Sequence, residues 1–443
     1  MPAVADSPAP NDSFRTPRAY WLGVFNGVVF TTGVAFVDPA TVLPTFVSRL
    51  TDSGVAVGLI YAIGMGGWYL PQLLAASYAQ PMPHKRPLYM LAVYLRGTGW
   101  AIAIPAVYLL ARTHPALALA GFFLGYSMFA LGGGLGGIAF LDMVAKTVSP
   151  NQLGSFFGNR QFWGAAGGIA VGLLVKAVLG SDRLSFPTDY CLLMVLALAN
   201  FIPGWAAFAL VKEPAGRAGE SQPFHSFVRA APRLIREQRD YRLLLAARLL
   251  IGATGIALPF YIVYCRRVLG MQESVAGTYL SVQMAGSVLA VPLWAHLNDR
   301  RGPRALMIVI GAVSLVIPAL AVLSSLLPHH ALAGRLLFGV VFFALAAAGA
   351  GSFMASTNYL FAIAPEPERP LYIGVLNTLF ALTIFLPMLG GMLVRAGLFR
   401  GLFALAVVAG AAGLLAAVRL PAQGPPGSSG RTPERRQAAG ALV

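Results

Sequence analysis

Long apolar stretches, almost free of charge, recur along this chain and restrict its fold more than any other feature. Twelve can be counted, at 20–48, 55–79, 88–110, 117–143, 154–179, 188–211, 243–264, 276–297, 305–327, 333–361, 371–394 and 401–418. The hydrocarbon core of a bilayer asks for about 20 residues of helix per crossing. It offers no hydrogen-bond partners, so each crossing must satisfy its own backbone. A barrel would show strands of about ten residues alternating in polarity; these segments are longer and apolar all round. Composition agrees. Of 443 residues, 57% are hydrophobic and 11% charged, against about 25% charged in soluble domains. The expected fold class is an all-α membrane protein with twelve transmembrane helices.

The polar connectors divide the chain. A cytoplasmic tail is expected at 1–19, a first bundle of six helices at 20–211, a cytoplasmic linker at 212–242, a second bundle of six at 243–420, and a disordered cytoplasmic tail at 421–443. The first apolar stretch is longer than the core of a secretory signal and lacks a clear cleavage site, so it reads as a retained span. Within the linker, Phe224, Phe227, Val228, Ala231, Leu234 and Ile235 share one helical face and Arg229, Arg233 and Arg236 lie opposite. Such a helix is expected on the inner membrane surface. The formal charge is +16. With cytoplasmic termini, Lys and Arg number 21 on that side against 9 on the other, leaving Arg96 and Arg248 inside spans. This is the asymmetry of the positive-inside rule, and it accounts for the basic charge without nucleic acid.

Between the eighth and ninth spans runs Ala295-His296-Leu297-Asn298-Asp299-Arg300-Arg301-Gly302-Pro303-Arg304. It resembles the cytoplasmic loop signature of the major facilitator superfamily at Leu297, Asp299, Arg300, Gly302 and Arg304; Ala295 and Pro303 depart from it. The resemblance implies two pseudo-symmetric six-helix bundles around a central cavity, rocking between two openings, with the first, fourth, seventh and tenth helices lining much of it. It also implies that Asp299 latches the loop in one state. The loop between the second and third spans lacks the matching Asp. Asp142 and Arg160, near the cytoplasmic ends of the fourth and fifth helices, are the candidates for an ion pair there. The Gly-rich fifth span, 164–172, reads as a close-packing face, and the glycines of 132–137 in the fourth span as a bend.

Two charged groups inside spans stand out. Asp38 precedes Pro39, which disfavours helix at Asp38 and should break the first span. Two readings of it stay open: proton coupling, or a cap at the break near the outer boundary. Arg96, roughly 12 Å into the third span, must find carbonyls, water, a carboxylate or an anionic substrate. Arg248, near the start of the seventh, is expected to snorkel to the edge. Neutral groups on the expected lining helices include Asn26, Thr31, Tyr126, Thr254, Tyr261, Ser356 and Asn358, with Gln72, Gln283 and Asn377 in reach of a wide cavity.

No histidine lies deep in a span and no Ser-His-Asp, paired-carboxylate or metal-ligand constellation appears, so no enzyme, cofactor or metal site is expected. Cys191 and Cys265 read as buried free thiols. The leading function is secondary active transport of a small molecule by alternating access in a bacterial plasma (inner) membrane, by a monomer. Proton-coupled export of a neutral or lipophilic compound heads the list. Uptake of a sugar-like or anionic metabolite, the latter through Arg96, is the alternative. An assembly or lipid-handling role without transport is a third, from another class.

Overall fold

The computed structural model describes residues 14–79, 81–216, 224–327, 332–365 and 368–422. The tails beyond these limits, and part of the 212–242 linker, lie outside the described residues. Every long element is a helix. The first crossing is α1 (Pro17–Phe36) followed by α2 (Val42–Leu50), separated by the predicted break at Asp38-Pro39. Then follow α3 (Gly54–Ala79), α4 (Arg86–Leu110), α5 (Pro115–Thr147), α6 (Leu153–Leu179) and α7 (Thr188–Ala209). After the linker helix α8 (Phe224–Glu237), the seventh crossing is α9 (Arg239–Ala253) and α10 (Phe260–Arg267), joined by a 3₁₀ turn at Thr254–Ala257. The helix α11 (Val275–Ser324) precedes α12 (Leu332–Ile363). The eleventh crossing is α13 (Arg369–Ala381) and α14 (Leu386–Arg395), and the last is α15 (Phe399–Val418).

Among the described residues, 11 helices are long and apolar enough to cross a membrane. One of these, α11, has 50 residues, about 75 Å of helix, far more than one crossing needs. It is two crossings folded at Gly302, whose φ of 78° and ψ of 170° leave helical geometry. A side chain there would be strained, so glycine is what permits the reversal. Twelve crossings result.

The halves meet most closely where side chains are smallest. A Cβ on Gly54 would lie 2.2 Å from the carbonyl oxygen of Gly391, and one on Gly277 would lie 2.2 Å from the amide nitrogen of Lys176. Gly172 and Gly277 thus do what the glycine-rich fifth span predicted, packing helix on helix across the interface. The 132–137 run behaves otherwise. Helix α5 continues through it unbroken. Its glycines make room for α4 and for the Trp68 and Arg96 side chains, so the expected bend gives way to a packing groove. The linker helix also departs from expectation. Leu234 is buried in the cluster formed by Tyr241, Leu244 and Tyr372, with Ala231 and Ile235 packed beside it. Part of its apolar face therefore rests on protein rather than on lipid. Cys191 and Cys265 are buried and free.

Candidate substrate cavity

Within the first half, α1, α3, α4, α5, α6 and α7 enclose a cavity of about 340 Å³. Its polar groups are Asn26, Tyr89, Arg96 and Arg160; Phe30, Trp68, Phe140, Phe157 and Trp205 give it aromatic walls, and among the described residues no carboxylate lines it. Arg96 is 8% exposed. Its guanidinium carbon sits 5.2 Å from the Phe30 ring centre, 5.5 Å from Phe129 and 5.9 Å from Trp68, within the range of cation–π attraction. Its Nε has no hydrogen-bond partner among the described residues. The groove on α5 creates the space: a Cβ at Gly133 would fall 2.9 Å from both the Arg96 guanidinium and the Trp68 ring.

Arg160 of α6 enters from the other side. It donates to the carbonyl of Gly23 and, at 3.2 Å, to Asn26 Oδ1. Phe140 lies 4.5 Å from its guanidinium and Phe156 5.4 Å. Asn26 in turn donates to the Gly204 carbonyl at 2.9 Å, tying α1 to α7. The anticipated Asp142–Arg160 pair does not form. Asp142 pairs instead with Lys146 one turn along, at 2.5 Å, the helical spacing that brings side chains together. Lys146 also meets Glu213 at 2.8 Å. Glu213 accepts from the Lys85 and Arg86 amides at 2.7 and 2.8 Å, satisfying orphan donors at the start of α4. These ties join the first half to the start of the linker.

Asp38 orders the turn before α2, whose N-cap position is Thr41, and makes a contact with the other half. Its Oδ1 accepts from the Ala40 and Thr41 amides at 3.0 and 2.8 Å and from the Thr41 hydroxyl at 2.8 Å, which organises the entry to α2. Its Oδ2 faces Gln283 of α11, in the other half, at 3.3 Å. Further ties between the halves gather beyond it, at the helix ends remote from the termini. Glu273 takes Arg49 at 3.3 Å, Tyr190 Oη at 2.9 Å and Arg266. Arg266 also donates to Ser48 Oγ at 3.0 Å, and Arg267 meets Asp52 at 3.0 Å. That face is shut.

The remaining predicted groups lie elsewhere. Tyr126 stacks on Phe129, ring centres 6.4 Å apart, one layer behind Arg96. Tyr261 is a core residue stacked on Phe403 at 5.3 Å. The Thr254 hydroxyl turns back to the Ile251 carbonyl at 2.7 Å. Asn358 is half-buried on α12 and Asn377 exposed on α13. In the loop signature, Leu297 packs beside the second-half core. Arg304 donates to the Val418 carbonyl at 3.0 Å, and Arg300 is exposed. Asp299 is exposed and touches Asn298 at 3.4 Å, so the expected latch is unengaged here. Arg248 does not snorkel: it bonds the Ser352 hydroxyl and lies 4.0 Å over the Phe380 ring. Sequence reasoning passed over Trp68, Trp205, Glu213 and Glu273. The first two were hidden in uniformly apolar helices. The acids sit near helix ends, where a charge looks ordinary.

Twelve crossings in two halves, with a cavity among the first six, define a polytopic helical membrane protein. Residues 243–442, the second half of the chain, match the family model described as Major Facilitator Superfamily, in agreement with the resemblance read from the loop at 295–304. No curated protein matches it by sequence. Among solved structures it is similar to a bacterial homologue of the iron transporter ferroportin in an inward-facing state, with TM-score 0.70, 13% identity, and coverage of 91% of this chain and 98% of that one. An auto-inhibited POT family peptide transporter gives 0.67, 13%, 91% and 97%. The nucleoside transporter NupG gives 0.62, 13%, 91% and 97%. At this identity the likeness speaks for the fold alone.

Proposed function

We propose that this chain is a secondary transporter of an organic anion with an apolar or aromatic body. The observation that carries this is the presence of Arg96 and Arg160 in one aromatic cavity that no carboxylate among the described residues lines. An uncompensated guanidinium inside a membrane protein costs about 3 kcal/mol or more. An anionic group offsets that cost, and a guanidinium grips a carboxylate or similar group in two parallel hydrogen bonds. The rings hold the apolar remainder. This favours the anionic alternative over the neutral or lipophilic cargo expected for a cavity poor in charge. With both termini in the cytoplasm of a bacterial inner-membrane protein, the shut face is the outer one, and a monomer presents its cavity inward.

Flux assays in proteoliposomes test this, with radiolabelled aromatic carboxylates set against neutral compounds of similar size. Saturable carboxylate flux, lost in Arg96→Gln, is expected. Flux confined to neutral compounds and unchanged by that substitution would refute the anion reading. Proton coupling is supported by one feature: Asp38 sets a carboxylate oxygen against the opposite half. Flux that ignores collapse of the proton gradient, or coupling that survives Asp38→Asn, removes that role.

A further inference from the structure

The first half carries a second hollow, which meets the Arg96 cavity at one residue. It is a groove of about 400 Å³ between α4 and α7, with Val93, Gly97 and Thr98 on one side and Ile202, Ala206 and Ala209 on the other. No charged residue among the described ones lines it. Tyr94 and Ile202, which also line it, are exposed, so the groove opens on the surface that faces hydrocarbon. A Cβ at Gly97 would meet nothing within 4 Å, which marks open space on the α4 side.

Trp205 lines both the groove and the Arg96 cavity, so at that point a single side chain divides them. Helix α4 continues the partition, giving Tyr89 and Arg96 to the cavity and Met90 and Gly97 to the groove. The Trp205 indole is buried, and its Nε1 has no hydrogen-bond partner among the described residues. The Tyr89 hydroxyl donates to the Trp205 carbonyl at 3.4 Å, which ties the two helices and leaves the ring free of any hydrogen bond. Stacking on Phe201, 5.5 Å between centres, holds the ring in place. A buried donor left unspent in a native structure calls for an explanation. Here it belongs to the wall between an apolar groove and an anion cavity.

The groove also starts at the right depth. Ala209 is the last residue of α7, and Met90 stands in the second turn of α4, so one end lies near the membrane interface. From Met90 to Thr98 it runs roughly 12 Å inward, past the level of Arg96. Hydrocarbon supplies only apolar matter to such a groove, while two guanidiniums behind Trp205 select an anion. A molecule with both characters rests in a bilayer with its tail among the lipids and its charge at the interface. We infer that the substrate is an anionic amphiphile, an acid head on a single aliphatic or aryl tail, and that it enters the Arg96 cavity from the bilayer between α4 and α7, with Trp205 as the movable wall. The head lies with Arg96 and Arg160 and the tail in the groove. This rests on the anion reading of the cavity and adds to it the form of the apolar body and the route of entry.

The test uses the purified full chain in nanodiscs, with benzoate, dodecanoate and dodecanol as probes and ligand stabilisation as the measurement. The wild type should bind dodecanoate at least roughly tenfold more tightly than benzoate, and dodecanol weakly. Gly97→Leu fills the groove at a position with free space and favours helix over glycine; it should erase the preference for dodecanoate and leave benzoate binding unchanged. Ala206→Leu should do the same from α7 if the first variant fails to fold. Dodecanoate bearing a photoreactive diazirine at its tail end should label α4 and α7 around Gly97 and Ala206. A tail preference that survives both substitutions, or labelling confined to other helices, overturns the lateral entrance while sparing the anion site. Dodecanol binding as tightly as dodecanoate, or carboxylate binding that Arg96→Gln leaves intact, overturns the anion reading itself.

Discussion

Gln283 of α11 donates to Asp38 at the break in the first crossing, 3.3 Å across the line where the two halves meet. The same carboxylate holds the start of α2 through its other oxygen. One side chain thereby joins a local break to a long-range contact. Asp38→Ala should lower stability by about 1–3 kcal/mol, because it leaves the buried turn donors of Ala40 and Thr41 without an acceptor, and Asp38→Asn by less, since an amide oxygen still accepts. Thermal melting in nanodiscs separates them; equal losses would mean that the turn hydrogen bonds are not what Asp38 contributes.

Removing Arg96 should trade function for stability. Arg96→Met places an apolar chain of similar length among Phe30, Trp68 and Phe129. The ligand-free protein should become more stable by on the order of 1–3 kcal/mol, while carboxylate ligands no longer raise its melting temperature. A destabilised variant would indicate that the ring contacts of Arg96 outweigh its lack of a charged partner.

The shut face depends on backbone approach at Gly277. A methyl there would press on the Lys176 amide at 2.2 Å, and neither backbone can yield. Gly277→Ala should hold the halves apart at that end. A thiol introduced by Ser48→Cys would then react faster with a membrane-impermeant reagent, against a background in which Cys191 and Cys265 are buried. Glu273→Gln should act in the same direction by releasing Arg49 and Arg266. Unchanged labelling in both would show that the closure does not rest on these contacts.

Asp299 makes the opposite case. Its exposed carboxylate touches little, so Asp299→Asn should change melting of this conformer by under about 0.5 kcal/mol. If the loop latches in the other state, substrate flux should nevertheless fall. A large melting shift with normal flux would assign Asp299 to folding.

Much of the fold could be read because it is local. Asp38-Pro39 announced a break, Gly302 a reversal, and hydrocarbon thickness the number of crossings. What stayed illegible was rotation. A helix apolar on every side gives no sign of which face meets protein, so Trp68, Phe140 and Trp205 looked like any lipid-facing aromatics. Arg160 was read as a helix-end charge, yet its long side chain reaches inward to the Gly23 carbonyl. Arg248 was assigned to the edge for the same reason. The Asp142–Arg160 pair failed because Lys146, one turn along, takes Asp142, while Arg160 turns to the Gly23 carbonyl and Asn26. The glycines at 132–137 were read for flexibility when their missing side chains were what mattered.

Every wall of the Arg96 cavity belongs to the first half. A rocking motion that swings one half against the other can open or close the route to it without altering the shape of its grip. A compound held there alone should consequently bind with the same strength whichever compartment it arrives from, and the direction of net movement would be set by gradients rather than by a change of affinity.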